Sequence, residues 1–216
     1  MIRLPAVRRL SNRRERSDRN SRTAPERKGI GMGKITLILG GARSGKSRYA
    51  QERAERLSAT GAVVAYVATA TAEDEEMSLR IARHRSSRPD AWITVEEPRR
   101  VARALAAVAA DVVIVDCLTL LITNILLEHQ ADRSDGMPLL QLQEEAVMRE
   151  IEALLTECRR MQAEIFLISN EVGMAVVPPT SLGRAFRDIA GRVNQAVASG
   201  AEEVYLLVAG LAQRLK

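Results

Sequence analysis

The sequence predicts an α/β protein built on a mainly parallel sheet that helices cover on both faces. Short apolar runs rich in Val, Ile and Leu alternate with longer helical segments from residue 34 to the end of the chain. The runs are apolar along their whole length, as is typical of strands buried on both faces of a parallel sheet. Hydrophobic residues make up 46% of the chain and aromatic residues only 3%, so the predicted core consists of Ala, Val, Leu and Ile. A chain of 216 residues is long enough for one sizeable domain.

Each element follows from this alternation, in chain order. The first strand is ITLIL, the fourth is DVVIVD, and the other strands are short apolar runs of the same kind. The predicted strands are 35–39, 62–68, 92–95, 111–116, 164–169 and 203–208. The predicted helices fill about 46–58, 73–86, 98–109, 118–130, 138–161 and 181–199. The polar segment 131–138, ADRSDGMP, is the one clear internal loop. Since ligands of such sheets bind beyond the carboxyl ends of the strands, the residues that follow each strand are the candidates for function.

The positive charge of the chain is concentrated at its amino-terminal end. Residues 1–33 hold nine Arg and one Lys against three acidic residues, a net charge of +7. The whole chain has a net charge of +5, so residues 34–216 carry −2. A nucleic-acid-binding domain carries its positive charge on the folded part, and this pattern therefore argues against nucleic acid as the main partner.

Residues 1–33 are expected to be a basic extension and 34–216 the functional domain. The extension lacks the apolar core of a secretory signal, and three interpretations stay open. It is a disordered basic tail, an organellar transit peptide, or a segment upstream of a translation start at Met32. No apolar run approaches the roughly 20 residues of a membrane span. Two cysteines, Cys117 and Cys158, fit a reducing compartment, and we expect a cytoplasmic protein.

A phosphate-binding motif follows the first strand. The segment GGARSGKS, 40–47, matches G-x-x-x-x-G-K-[ST] in full and lies between a strand and a helix. In this motif backbone N–H groups wrap a phosphate, the lysine neutralises β/γ-phosphate charge and the final hydroxyl can ligate Mg²⁺. The alternative, a Gly-rich turn without a ligand, is disfavoured by the strand, loop and helix order. The predicted nucleotide-binding residues are Gly40, Gly41, Ala42, Arg43, Ser44, Gly45, Lys46 and Ser47.

An acidic residue ends the fourth predicted strand. In P-loop enzymes an acid at the end of a buried strand holds Mg²⁺, directly or through water. Asp116 occupies that place, and Ser47 and Asp116 are therefore the predicted Mg²⁺ ligands. The alternative is a carboxylate that caps the following helix.

Six segments together resemble the bifunctional adenosylcobinamide kinase and adenosylcobinamide-phosphate guanylyltransferase family of cobalamin biosynthesis. They occur in order between about residues 34 and 216: GGARSGKS, YVATA (66–70), RIARHRSSRPDAW (80–92), DCLT (116–119), NEVGMAVVP (170–178) and FRDIAGRVNQ (186–195). The resemblance implies a RecA-like P-loop NTPase fold and a homotrimer. It implies that ATP or GTP phosphorylates adenosylcobinamide, and that GMP then passes from GTP to adenosylcobinamide phosphate through a guanylylated histidine.

His84 is the histidine of the third segment. Neutral imidazole is nucleophilic near neutral pH, and neighbouring cations favour that form and neutralise charge on a triphosphate. Arg80, Arg83, Arg85 and Arg88 are the candidate cations. Without the resemblance, a histidine on a helix surface beside arginines would be unremarkable. Some family members have two adjacent histidines here, whereas in this sequence Arg83 precedes a single histidine. The other histidine, His129, is expected at the surface or core edge.

The resemblance implies two catalytic residues, His84 and Lys46. Further nucleotide-binding residues that it implies are Ala68, Thr69, Ala70, Arg85, Ser86, Ser87 and Arg88. Glu96 and Glu97 follow another predicted strand, where an acid such as Glu96 either contacts guanosine hydroxyls or belongs to a solvated loop.

The last two segments leave several interpretations open. Asn170 and Glu171 follow a predicted strand, where they either contact substrate or cap a strand-to-helix connection. Asp188 and Arg192 share a helical face and predict an ordinary intrahelical ion pair, in a region that the family places at the active site or a subunit boundary. Two rival functions also remain: a P-loop kinase of another small metabolite, and a nucleotide-dependent binding protein whose basic tail contacts nucleic acid.

Overall fold

The computed structural model describes residues 33–72, 75–86, 88–128 and 139–216. These residues form seven strands and six helices, which confirms the predicted α/β class. In chain order the elements are β1 (Lys34–Gly40), α1 (Lys46–Ser58), β2 (Val64–Ala68), α2 (Glu75–Ser86), β3 (Ile93–Glu96), α3 (Val101–Ala106), β4 (Val112–Asp116), α4 (Leu118–Glu128), α5 (Leu139–Arg160), β5 (Glu164–Asn170), α6 (Ser181–Gly200), β6 (Glu203–Val208) and β7 (Leu211–Arg214).

The strands form one sheet in the order β3-β2-β4-β5-β1-β6-β7. The first six strands are parallel, and β7 is antiparallel to β6. Their last residues lie at one edge: Gly40 is opposite Asn170, and Ala68 is opposite both Asp116 and Glu96. The register therefore brings the phosphate-binding motif, Asp116 and the ends of β2, β3 and β5 to the same edge of the sheet.

The core has two apolar layers, one on each face of the sheet, because alternate side chains of a strand point to opposite faces. In β1, Ile35, Leu37 and Leu39 belong to the larger layer, under α3, α4, α5 and α6. In the same strand Ile38 belongs to the smaller layer, where α1 contributes Ala50 and its neighbours. Helices on both faces are what a parallel sheet requires, since its strands have no polar side to expose.

At several elements the structure differs from what the sequence predicted. Strand β7 was not predicted, because all four of its residues are exposed and carry no apolar pattern; it forms by pairing with β6. Helix α3 is shorter than the predicted 98–109, and before its start the Glu97 carboxylate accepts the backbone N–H groups of Arg99 and Arg100 in a local turn. Strand β3 is largely exposed at the sheet edge rather than buried.

Several predictions lie outside the described residues. They concern the extension up to residue 32, the loop 131–138, His129 and Ser87. Within the described part, no helix is both long enough and apolar enough to cross a membrane. Cys117 and Cys158 are both buried free thiols.

Candidate nucleotide-binding site

The segment from Gly40 to Ser47 connects β1 to the first turn of α1, as the motif requires. Gly41, Ala42 and Arg43 are exposed at its crest, while Ser44 and Lys46 are buried. The backbone has a positive φ at three positions, Gly40 (153°), Arg43 (56°) and Gly45 (98°). This loop precedes the amino terminus of α1, where the first backbone N–H groups have no partner within the helix and attract anions. The loop therefore has the shape of a phosphate cradle.

The Lys46 ammonium group lies across this loop. Its side chain is only 7% exposed, and Nζ donates a hydrogen bond to the Gly41 carbonyl oxygen over 2.7 Å. The ammonium group therefore lies at the loop, in the position from which the lysine of this motif neutralises phosphate charge. Its charge also acts on Cys117, the residue after Asp116, which places Lys46 and the end of β4 within electrostatic range of each other.

The hairpin between β6 and β7 contacts the phosphate loop and supports it. The Gly210 N–H donates to the Ser44 carbonyl oxygen over 2.9 Å. A Cβ at Gly45 would lie 3.3 Å from the Gly210 Cα, and one at Gly40 would lie 2.5 Å from the Leu207 carbonyl oxygen. These close approaches explain why both motif positions are glycines. No residue of this hairpin was predicted to belong to the site, and the Ala-Gly pair at its turn was the only available signal.

Replacing Gly210 with Ala is expected to weaken nucleotide binding roughly tenfold, because the turn (φ 81°) must shift and take its hydrogen bond to the loop with it. The matched control is Gly61→Ala. Gly61 has φ 95°, so Ala suffers the same left-handed strain of about 1–2 kcal/mol there, with nothing near the new methyl group. Titration with a fluorescent GTP analogue measures both dissociation constants. Equal constants for the two variants would show that the hairpin does not support the loop.

Asp116 ends β4 and is half-buried. One of its carboxylate oxygens, Oδ2, accepts a short hydrogen bond from the Tyr66 hydroxyl. Burial, and then the Asp116 charge, raise the pKa of Tyr66 far above its usual value, so the phenol remains a donor at any physiological pH. Burial, and then Asp116, likewise raise the pKa of the Cys117 thiol, which argues against a nucleophilic role for this cysteine.

The available protein ligands fit Mg²⁺ better than they fit a metal that is held by protein side chains alone. The described residues contain no group of three or more His, Cys, Asp or Glu side chains that could hold an ion. Magnesium does not need one, since it binds through one or two protein ligands and completes its shell with phosphate oxygens and water. The Ser47 hydroxyl at the start of α1 and the Asp116 carboxylate would supply those ligands.

Buried polar side chains brace the edge beside Asp116. Thr69 is fully buried; its hydroxyl donates to the Cys117 carbonyl oxygen and accepts from the Cys117 N–H, both over 2.8 Å. The Asn124 amide donates to the carbonyl oxygens of Thr69 and Pro98. In the structure Thr69 therefore holds the ends of β2 and β4 together, while Ala68 is buried at the end of β2 and Ala70 half-buried beyond it.

The end of β5 is braced in the same way. The Asn170 amide donates to the Thr119 hydroxyl over 3.0 Å, and its carbonyl oxygen accepts from Asn194 of α6 over 3.2 Å. The Glu171 carboxylate accepts the Gly173 N–H over 2.7 Å. Two alternatives were open for Asn170 and Glu171: contact with substrate, or capping of a strand-to-helix connection. These hydrogen bonds are of the second kind.

His84 lies in the last turn of α2 and is half-buried, between the exposed Arg83 and Arg85. Arg85 pairs with the exposed Glu96 at the end of β3, with 3.5 Å between Nη1 and Oε1. The exposed Ser86 hydroxyl donates to the Arg83 carbonyl oxygen over 3.0 Å. The cations at this helix end are favourably placed, because the carboxyl end of a helix is negative. Arg83, His84 and Arg85 thus share the last turn of α2, and the imidazole is half-buried there.

Arg88 lies two residues after the end of α2 and is therefore outside the helix. Its guanidinium carbon lies 3.6 Å from the centroid of the Tyr66 ring, whose hydroxyl donates to Asp116. The segment that carries His84 is therefore tied to the edge that carries Asp116. Tyr66 belongs to the YVATA segment, but the sequence predicted no role for it. A lone tyrosine in an otherwise aliphatic buried strand was the available signal.

The pairing predicted within α6 is wrong. Arg192 pairs with Glu144 of α5, and Asp188 pairs with its neighbour Arg187, with 2.9 Å between Nη2 and Oδ1. Helical spacing identified side chains that share a face, but the packing of α5 against α6 supplied a nearer partner.

Comparison with known proteins gives one consistent family. A family model described as cobinamide kinase / cobinamide phosphate guanyltransferase matches residues 36–215. The bifunctional adenosylcobalamin biosynthesis protein CobP of Pseudomonas aeruginosa is 47% identical over 183 residues, covering 83% of this chain and 96% of that protein. The proteins of the same description named CobU, from Escherichia coli K12 and Salmonella typhimurium LT2, are 42% and 40% identical over 184 residues, covering 84% of this chain and 99% of each protein.

Among solved structures, the flagellar accessory protein FlaH of Methanocaldococcus jannaschii has a TM-score of 0.49 at 16% identity, covering 88% of this chain and 82% of that one. A similarity at this level bears on neither substrate nor mechanism. The match over residues 36–215 and the identities of 40–47% across nearly the whole of each relative show that this chain belongs to the cobinamide kinase / cobinamide phosphate guanyltransferase family.

Proposed function

We propose that this chain phosphorylates a hydroxyl of adenosylcobinamide with ATP or GTP, and then transfers GMP from GTP to the new phosphate. The observation that carries this proposal is membership of the family over residues 36–215, together with a phosphate loop, an acidic strand end and a half-buried histidine on one chain. The order of the two steps follows from the chemistry, because GMP transfer needs a phosphate as its acceptor.

In the kinase step the phosphate loop binds and orients the nucleotide. The loop amides and Lys46 surround the β- and γ-phosphates, and Ser47 with Asp116 would hold Mg²⁺. When bound, Mg²⁺ neutralises charge on the phosphate oxygens. Lys46 stabilises the negative charge on the transferred γ-phosphoryl group, and the substrate hydroxyl displaces the nucleoside diphosphate in line.

In the transferase step we propose His84 as the nucleophile. A ring nitrogen of the neutral imidazole attacks the α-phosphorus of GTP; an N–P bond forms, and the P–O bond to pyrophosphate breaks. The phosphate of adenosylcobinamide phosphate then attacks the same phosphorus and displaces the imidazole, which regenerates His84. Arg85, next to the histidine in the last turn of α2, would supply positive charge toward the triphosphate, and Glu96, which pairs with Arg85, would accept from guanosine hydroxyls.

Further parts of the proposal concern the environment of the enzyme. We place it in the cytoplasm and as a homotrimer, as the family resemblance implies. The loop after β5 supports a subunit contact, because Met174 and Val176 are 84% and 92% exposed there and Val177 is also exposed.

Incubation with α-labelled GTP and Mg²⁺, followed by denaturation and peptide mapping, tests the function directly. Label is expected on the peptide that contains His84, stable to alkali and released by acid as in phosphoramidates. A P-loop kinase of another metabolite would phosphorylate its substrate without retaining any label. Light scattering on the same preparation measures its mass, and a monomer would contradict the trimer.

A further inference from the structure

A tyrosine and an arginine link the two halves of the proposed site. Tyr66 is 1% exposed, in the third position of β2, and its hydroxyl donates to Oδ2 of Asp116. The guanidinium group of Arg88 covers its ring at 3.6 Å, four residues after His84. The result is a continuous contact path from the segment that carries the proposed nucleophile to the proposed metal-binding carboxylate.

The segment around Arg88 is well anchored. The Arg88 N–H donates to the Arg85 carbonyl oxygen over 3.2 Å, and the Trp92 N–H donates to the Pro89 carbonyl oxygen over 3.0 Å. The buried Trp92 belongs to the same apolar layer as Tyr66. The turn formed with Arg85 therefore fixes the backbone of Arg88 on one side, and the buried Trp92 anchors the chain on the other side.

Tyr66 and Arg88 bring two polar groups into a buried contact that apolar side chains could make at lower cost. Burying a hydroxyl and a guanidinium group costs free energy unless both are satisfied, and the Nε atom of Arg88 is buried with no hydrogen-bond partner among the described residues. A phenylalanine would fill the same volume in β2 without any polar cost. The hydroxyl therefore matters through its acceptor, Asp116, because the hydrogen bond to Oδ2 fixes the orientation of that carboxylate.

We propose that Tyr66 and Arg88 are positioning residues: Tyr66 orients the Asp116 carboxylate toward Mg²⁺, and Arg88, stacked on Tyr66, ties the His84 end of α2 to that carboxylate. This inference rests on the proposed function. Partners that orient a metal ligand typically affect metal affinity by about 10- to 100-fold when they are removed. Tyr66 acts through Asp116, and Arg88 acts through Tyr66.

The test uses Tyr66→Phe in the full chain, with Tyr205→Phe as the matched control. Tyr205 also donates its hydroxyl to a carboxylate, Glu203, over 3.2 Å, but Glu203 is the first residue of β6 and lies at the opposite edge of the sheet. The Mg²⁺ concentration that half-maximally enhances binding of a fluorescent GTP analogue is expected to rise about tenfold in Tyr66→Phe and to stay unchanged in the control. This readout does not depend on turnover.

Arg88→Gln and the double variant complete the experiment. Arg88→Gln is expected to raise the same Mg²⁺ concentration by a smaller factor, and the double variant to match Tyr66→Phe alone, since residues in one path are not additive. Melting temperatures of all variants without nucleotide separate a loss of fold from a loss of positioning. An unchanged Mg²⁺ response in a folded Tyr66→Phe protein, or fully additive effects, would overturn the inference.

The same titration distinguishes this inference from the function on which it rests. If the wild-type protein binds nucleotide without any response to Mg²⁺, Asp116 is not a metal ligand, and both the metal assignment and this inference fall. If the wild type responds and Tyr66→Phe responds identically, the proposed function stands and only the inference falls.

Discussion

Replacing His84 with Ala is expected to eliminate protein-bound label from α-labelled GTP, while phosphorylation of adenosylcobinamide continues at a measurable rate. The imidazole is the proposed nucleophile, and no GMP adduct can form without it. The kinase step needs only the loop from Gly40 to Ser47 and Asp116, which His84→Ala leaves in place. GMP transfer to adenosylcobinamide phosphate should fall to background, since the substrate phosphate has no activated GMP to attack.

The control for this variant is His129→Ala, which removes the only other histidine of the chain and should retain full labelling. Nucleotide binding to His84→Ala, measured by titration, shows whether the phosphate loop is intact. Label retained on denatured His84→Ala protein would falsify the assignment and point to His129 or a lysine. Loss of both activities in a folded variant would contradict the separation of the two steps and indicate that His84 positions the triphosphate.

Replacing Lys46 with Ala is expected to reduce both activities by roughly 100- to 1000-fold, the usual effect of removing one group that stabilises developing charge. The ammonium group is buried at the loop, where it donates to the Gly41 carbonyl oxygen, so the substitution removes a positive charge from the phosphate-binding position. Both activities should fall together, because we propose that a single phosphate loop serves both nucleotides. Steady-state kinetics of kinase and GMP transfer, each at saturating Mg²⁺, measure the two effects.

Lys34→Ala is the matched control, since it removes a lysine from the other end of β1. Lys34 pairs with Glu203, with 3.0 Å between Nζ and Oε1, at the amino-terminal edge of the sheet. A partly exposed pair of this kind contributes about 0–1 kcal/mol, so both activities should survive. Normal kinase turnover in a folded Lys46→Ala protein would show that the phosphate site lies elsewhere.

The local sequence pattern was sufficient to predict most of the helices and strands. Strand β6 and helix α1 have the predicted bounds, and the other predicted elements that the structure describes differ mainly at their ends. These segments owe their form to near-neighbour properties, namely apolar runs and helical periodicity. The same holds for the phosphate loop and for the acid at the end of β4, because each is a short motif in a fixed strand context.

The sequence by itself determined the α/β class, the phosphate loop, Asp116 at the edge of the sheet and the six segments that together identified the family. Only the tertiary structure decided that the β6–β7 hairpin supports that loop through Gly210, that Arg192 pairs with α5, and that Tyr66 joins Arg88 to Asp116. The physical reason is separation along the chain. Tyr66 and Asp116 are 50 residues apart, and Gly210 and Ser44 are further still, so their contacts depend on strand order and register. Periodicity and propensity carry information over a few residues, whereas strand order and register arise only when the whole sheet packs.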